Sequence, residues 1–129
     1  MKVLIADVII LDNNKILLVQ QRKTEAYGLW SFPGGRVEKD ETIEEAVLRE
    51  VKEELDVKLV EYEFYKLQTI DSRGDKLEIH TFIGKICGNI HLKNDELMSY
   101  KWCSLEDVKK MKDSLRSNII FERCCEAIY

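Results

Sequence analysis

The chain opens with an almost continuous apolar run, "VLIADVIIL", turns polar at Asp12-Asn13-Asn14, and becomes apolar again in "KILLVQQR". Short apolar stretches bounded by turn residues read as strands, so this segment predicts a hairpin, with "LWSFP" as a further β-like piece. From Glu41 to about Leu55 the period changes. Ile43, Val47, Leu48, Val51 and Leu55 fall on one side of a helix, which makes that helix amphipathic. Beyond it, "KLVEYEFYKLQTI" and "LEIHTFIGKICGNI" are strand-rich and joined by "DSRGDK", whose Gly74 suits a positive-φ turn position. That predicts a second hairpin. After the polar "LKNDE" comes a short strand, "MSYKWCS". Ser104 with Asp107 three residues on marks a helix start, and a last helix is expected from about Ser114. No linker, repeat or low-complexity tract is visible. Strands, one helix, more strands and then helices imply an α+β sandwich with mixed sheet pairing.

Composition narrows the classes available. A chain of 129 residues and 15.1 kDa fits one domain, residues 1–129. With 45% hydrophobic and 34% charged residues it reads as a soluble globular chain, not a disordered or membrane one. The start, "MKVLIADVIIL", carries Asp7 inside its apolar run and no small-residue cleavage site after it, so it is expected to be a buried strand and not a signal peptide. Cys87, Cys103, Cys124 and Cys125 show neither C-x-x-C spacing nor a Cys/His cluster, and an adjacent pair is awkward for ordinary disulfides. They are expected to be reduced thiols in a cytoplasm. A net charge of -4 does not favour a polyanion, so neither nucleic acid nor membrane is an expected partner. A bound phosphate would need a metal or a few placed cations.

The stretch "GGRVEKDETIEEAVLREVKEELDV", Gly34 to Val57, concentrates acid on the predicted helix. At about 100° per residue, with Glu50 as zero, Glu54 lies near 40° and Glu53 near 300°, bordering the apolar stripe. Two carboxylates about 6 Å apart repel by nearly 3 kcal/mol at an effective dielectric of 20, and the C-terminal end of the helix dipole adds to the cost. Stability alone would place lysines there. The plainer reading is a solvated face in which Glu45 and Arg49 form an i, i+4 pair.

The spacing is more specific than that. From Gly35 there are five residues to Glu41, seven to Arg49-Glu50, then Val51, one residue, Glu53-Glu54, one residue, Asp56 and Val57. This resembles the Nudix hydrolase signature G-x5-E-x7-R-E-U-x-E-E-x-G-U, with U aliphatic. Every fixed position matches except the last glycine, which is Asp56 here. The flanking "LWSFPGG" and "YKWCSLEDV" also look like the family's segments on either side of the helix.

The resemblance implies an α/β/α sandwich in which the loop and helix from Gly35 to Val57 build a divalent-metal site that cleaves a diphosphate linkage. Mg²⁺, with Mn²⁺ as an alternative, suits carboxylate oxygens and retains waters. Carried over residue by residue, Glu50, Glu53 and Glu54 would be metal ligands, directly or through water, with the carbonyl of Gly34 as a further ligand and Gly35 beside the substrate. Arg49, near 260° on the wheel, would orient a neighbouring carboxylate, against the alternative of a plain surface pair. Glu41 is read as stabilising the helix start. Arg22 ends a strand in a region where the family often uses an arginine on substrate phosphates; otherwise it is a surface cation. Glu96, in "KNDEL", occupies a region from which the family draws a further metal-binding or general-base glutamate; otherwise it is a solvated loop acid.

Other polar and aromatic positions receive structural readings. Trp30 and Phe32 alternate on a strand and point to one face, which favours core packing over base stacking. His80 and His91 lack ligand spacing. Asp56 is expected to take the left-handed turn that glycine takes in the family, with an added acid of the metal site as the rival reading.

The expected activity is Mg²⁺-dependent hydrolysis of a nucleoside triphosphate, modified or oxidised forms included, to nucleoside monophosphate and pyrophosphate. Alternatives are a nucleotide-sugar or ADP-ribose-type pyrophosphatase, or a nucleotide-binding regulator without turnover. The intact acids weigh against the regulator. The lack of any proline after Val57 weighs against the ADP-ribose type, and Tyr62 and Tyr65 lie too close to the acidic helix for the dinucleoside polyphosphate spacing. The expected partner is a small nucleotide, with a homodimer left open.

Overall fold

The computed structural model describes residues 1–92 and 95–128. Residues 93 and 94, inside the polar segment expected before the last strand, lie outside the described residues.

Both predicted hairpins form. Strands β1 (Lys2–Asp12) and β2 (Lys15–Gln21) are joined by Asn13 and Asn14 with φ of 51° and 61°. Strands β5 (Lys58–Ser72) and β6 (Asp75–Cys87) are joined by Arg73 and Gly74 with φ of 50° and 84°. Two consecutive left-handed residues give the turn whose twist matches that of the flanking strands, and Asn and Gly enter that region most readily.

The remaining strands are β3 (Trp30–Ser31), β4 (Gly34–Arg36) and β7 (Leu97–Cys103). The sheet runs β3-β2-β1-β6-β5, with β4 also on β1 and β7 also on β2. Pairing is mixed: β1 and β6 are parallel from Lys2↔Lys76 to Ile10↔Gly84, and the other pairs are antiparallel. The β1–β2 hairpin stays paired only at Leu11↔Ile16 and Asp12↔Lys15. Below that point β1 turns to β4 instead, at Ile5↔Arg36, Ala6↔Gly35 and Asp7↔Gly34. The sheet therefore forks, and Gly34-Gly35 is laid against the middle of β1.

Helix α1 (Ile43–Leu55) starts two residues after Glu41 because Thr42 caps it. The Thr42 hydroxyl accepts from the N–H of Glu45 while the Glu45 carboxylate accepts from the N–H of Thr42. Glu45 is committed there and does not pair with Arg49. Ala46, Val47, Val51 and Leu55 of α1 pack on Ala6, Val8, Ile10, Leu17 and Val19. The alternate residues Ile9, Ile16 and Leu18 point the other way, into a second core with Phe32, Val108, Leu115, Ile120 and Cys124. That core lies under α2 (Leu105–Lys110) and α3 (Asn118–Ile128). β1 and β2 are thus covered on both faces, which explains their near-continuous apolar sequence. Burial of each such aliphatic side chain contributes about 1.5–3 kcal/mol. The result is a helix on one side of a mixed sheet and two on the other, an α+β fold of α/β/α layering.

Ser104 and Asp107 cap α2 reciprocally, as the sequence predicts. α3 begins later than Ser114. A 3-10 turn (Lys112–Ser114) is followed by extended Leu115, which bridges to Trp30, and the N–H of Arg116 donates to the Trp30 carbonyl at 2.9 Å. Trp30 and Phe32 both pack into the second core. Arg123 of α3, only 4% exposed, donates to Gln68 and Glu126, and Glu126 accepts from the Tyr65 hydroxyl at 2.6 Å. These bonds fasten α3 to β5. Among the described residues, no helix is long and apolar enough to cross a membrane.

Candidate metal and active site

The glycine loop meets the acidic helix over β1. A side chain at Gly34 would collide with the carbonyl oxygen of Ala6 and lie 2.7 Å from Asp7 Cβ; one at Gly35 would lie 2.7 Å from Glu50 Oε1. Gly34 is therefore closed to anything larger than glycine, whereas at Gly35 the obstacle is the end of a side chain that can move. The N–H of Gly34 donates to Glu54 Oε1 at 3.0 Å, so the loop is tied to the last turn of α1.

The three acids occupy different environments. Glu54 is 3% exposed, and desolvation pushes its carboxyl up to about 8, with the neighbouring Glu50 charge adding to the shift. Glu50 is mostly buried and is also raised, by desolvation first, although its bonds to Arg49 pull the other way. Glu53 stands at the open rim, its side chain 54% exposed. Helical spacing places Glu54 at the border of the apolar stripe, whereas the loop lying over it buries it completely.

Arg49 is the hub. Its Nε and Nη2 donate to the two oxygens of Glu41 at 2.6 and 3.0 Å, Nη1 donates to Glu50 at 2.8 Å and to Glu53 at 3.2 Å, and Nη2 also donates to the Arg36 carbonyl at 3.1 Å. These partners hold the guanidinium well above its ordinary pKa, Glu41 contributing most, and the same bond holds the Glu41 carboxyl below its usual range. Glu41 therefore serves the site by gripping Arg49 from the loop ahead of α1, and not as a charge in the first helical turn.

An open cleft of about 880 Å³ lies in front of these groups, lined by Gly35, Arg49, Glu50 and Glu53 together with Lys23 and Glu96. Glu96 is brought there by its carbonyl, which accepts from the N–H of Arg22 at 2.7 Å, and its carboxylate stands 3.8 Å from Lys23 Nζ. Arg22 itself is exposed and does not line the cleft; its neighbour Lys23 does. Lys52 and Arg36 also line it. The sequence reading missed these three cations. Proximity to the acidic stretch was the available signal for Arg36 and Lys52, while the choice between Arg22 and Lys23 depends on a register shift at Gln20/Gln21 that alternation cannot anticipate.

The donor set fits a hard divalent cation. Among the described residues no three acidic, cysteine or histidine side chains already form a closed cage. Mg²⁺ needs none, since it keeps several waters and takes one or two carboxylates. Glu54, raised by desolvation and by the Glu50 charge, and Glu50, raised by desolvation first and also by the Glu53 and Glu96 charges, are what a cation would relieve. Asp56 turns away to other partners. It caps α1 at φ 59° and ψ 36°, bonds Lys52 Nζ at 3.1 Å and lies 3.9 Å from His91 Nδ1. His80 packs beside Phe64, with its Nε2 3.8 Å from Glu78.

A separate, half-buried acid lies on β1. Asp7 Oδ1 accepts from the Thr81 hydroxyl at 2.6 Å, and desolvation pushes its carboxyl up to about 7 against the opposing influence of Thr81 and Arg123.

Comparison with known proteins agrees with this geometry. The NUDIX domain family model matches residues 1–123. The putative nudix hydrolase 1 of Caenorhabditis elegans is 36% identical over 120 residues, covering 91% of this chain and 32% of that protein, so the chain spans only a part of that relative. The 8-oxo-dGTP diphosphatase of Buchnera aphidicola is 34% identical over 103 residues, 78% of this chain and 76% of that enzyme. The solution structure of the Escherichia coli ORF135 protein superposes with a TM-score of 0.80 at 26% identity, covering 98% of this chain and 91% of that one. Loop, acidic helix and matched family together make this chain a member of the Nudix hydrolase family.

Proposed function

We propose that this Nudix hydrolase cleaves a nucleoside triphosphate, modified or oxidised forms included, to nucleoside monophosphate and pyrophosphate in the presence of Mg²⁺, Mn²⁺ being the alternative ion. The observation that carries this reading is the buried Glu54, hydrogen-bonded to the Gly34 backbone and raised by the charge of Glu50, beside a cleft that Glu50, Glu53 and Lys23 line. The name of the Buchnera relative, an 8-oxo-dGTP diphosphatase, supports the substrate class.

In this reading Glu50, Glu53, Glu54 and the Gly34 carbonyl hold the ion, which when bound neutralises phosphate charge and lowers the pKa of an attacking water. Arg49 keeps Glu50 and Glu53 aimed at the cleft. Lys23 and Lys52 attract the polyphosphate, with Arg22 further out. Gly35 lets the substrate approach the backbone. Glu96, which lines the same cleft as Glu50, takes the proton from water.

Purified protein with Mg²⁺ and a panel of canonical and oxidised nucleoside triphosphates, ADP-ribose and nucleotide sugars tests this, with products separated by chromatography. Monophosphate and pyrophosphate from a triphosphate are expected. Diphosphate and orthophosphate as first products would sink the mechanism, and turnover of only the ADP-ribose or sugar substrates would sink the substrate class.

A further inference from the structure

We infer that a second cavity, separate from the acidic cleft, is a binding site for a nucleoside monophosphate whose base carries an exocyclic amino group. The cavity measures about 360 Å³, within the roughly 300–1,000 Å³ usual for small-molecule sites. Among the described residues, none that lines it also lines the cleft.

The cavity arises from the way the sheet is covered. Trp102 and Tyr100 of β7 are the register partners of Leu17 and Val19, whose side chains pack under α1, so both rings stand on that side of the sheet, as Ile10 does. α1 stops at Leu55, and no residue of it lines the cavity. The chain leaving β6 takes over the cover: the N–H of His91 donates to the Leu55 carbonyl at 2.9 Å, and residues 88–90 line the cavity together with the two rings. A recess is left past the helix end. It is joined to the cleft by β7, where Leu97, next to Glu96, and Trp102 stand about 17 Å apart at roughly 3.4 Å per residue. The two sites are distinct.

The lining supplies three kinds of contact. Trp102, partly buried, and Tyr100, 40% exposed, offer ring surface to a flat heterocycle. Asp12 can accept from an amino N–H, the side-chain amide of Asn89 can donate and accept, and Lys85 offers a cation to a phosphate. A single exposed charge is ordinary. Here three polar side chains converge on one recess with two aromatic rings, and none of the three makes a side-chain hydrogen bond or ion pair among the described residues. Asp12 and Lys85 do not pair with each other either, so the two charges are spaced apart. A mononucleotide separates the amino edge of its base from its phosphate by a sugar, which suits that spacing. An aromatic amino acid carries ammonium and carboxylate on one carbon, which does not. Uracil sets its ring N–H between two carbonyls that a carboxylate repels, so bases with an amino group are preferred.

Calorimetric titration in EDTA with adenosine monophosphate (AMP), UMP, ribose 5-phosphate and tryptophan tests the site without turnover. The wild type should bind AMP at least about tenfold more tightly than ribose 5-phosphate, and UMP should fall between them. Lys85→Gln and Tyr100→Ala, both at exposed positions, should each weaken AMP at least about fivefold. Glu53→Gln, in the cleft, should leave AMP affinity within about twofold, and Lys85→Gln should keep the wild-type rate of hydrolysis within about twofold. Tryptophan fluorescence gives a second readout, since Trp30 packs in the second core and only Trp102 lines the cavity. AMP should quench it in the wild type and not in Trp102→Phe. A wild type that does not bind AMP, affinity unchanged in both Lys85→Gln and Tyr100→Ala, ribose 5-phosphate binding as tightly as AMP, or tryptophan binding in its place overturns the inference.

Discussion

Glu54 accepts a hydrogen bond from the backbone of Gly34 at 3.0 Å, twenty residues away in sequence. That contact closes the loop over the helix end, and it also buries a carboxylate next to Glu50, a placement that costs stability until a cation arrives.

Glu54→Gln should therefore separate stability from activity. A carboxyl whose folded pKa stands at about 8, above its usual 4.5, binds its proton more tightly when folded. The stabilising contribution of protonated Glu54 is thus fully present below about pH 4.5 and is lost as pH climbs towards 8. In EDTA the glutamine variant should gain on the order of 4 kcal/mol at pH 8 and nothing near pH 4.5, read by urea unfolding. With Mg²⁺, kcat should fall by at least about 100-fold, as it should in Glu53→Gln. An equal gain at both pH values would refute desolvation as the cause.

Arg49→Lys should behave as a disruptive change. Lysine cannot reproduce the fork that grips both oxygens of Glu41 while reaching Glu50, Glu53 and the Arg36 carbonyl. A loss of about 1–2 kcal/mol and of about tenfold in kcat is expected. Wild-type stability and kcat in this variant would show that the guanidinium is an ordinary surface cation.

The two glycines should fail differently. Gly34→Ala drives a methyl into the rigid backbone of β1 and should cost more than about 3 kcal/mol or prevent folding. Gly35→Ala meets only the end of the Glu50 side chain, which can swing aside, so the protein should fold normally and lose about tenfold in kcat/KM. Thermal melts beside initial rates distinguish the two; the reverse order would contradict the packing described here.

Asp56→Gly restores the family's glycine at a position whose φ is 59°. Relief of left-handed strain outweighs the lost Lys52 pair and glycine's freer unfolded chain, giving a stability change between zero and about +1 kcal/mol. kcat should stay within about threefold. A drop beyond tenfold with unchanged melting and a higher Mg²⁺ requirement would make Asp56 part of the metal site.

Local chemistry made much of this molecule legible. Asn13-Asn14 and Gly74 announce their turns, Ser104 and Asp107 announce α2, and the four-residue spacing of Val47, Val51 and Leu55 announces the buried face of α1. What stayed hidden depends on segments meeting from a distance. Arg49 pairs with Glu41 across a loop, beyond the one-turn neighbours that a helical wheel can rank. Thr42, and not Glu41, starts the helix, because the Glu45 side chain closes the cap. The substitution of Lys23 for Arg22 at the cleft follows a ladder irregularity. Asp7 reads in sequence as an interruption of an apolar run; only the parallel partner β6 shows it bound to Thr81.

Strand β5 has a consequence for how this protein tolerates crowding in solution. Among the described residues it pairs with β6 alone, so a strand of 15 residues presents one open edge, with Phe64 and Leu67 about half exposed nearby. Such an edge is a template for another chain. Here the ladder slips at Val60/Glu63 and at Phe64/Lys66, bending the edge where a straight intruder would need it flat, and Glu61, Glu63 and Lys66 line that stretch with charge. Kinks and charge together make that edge a poorer template for a straight strand than the length of the hairpin alone would suggest.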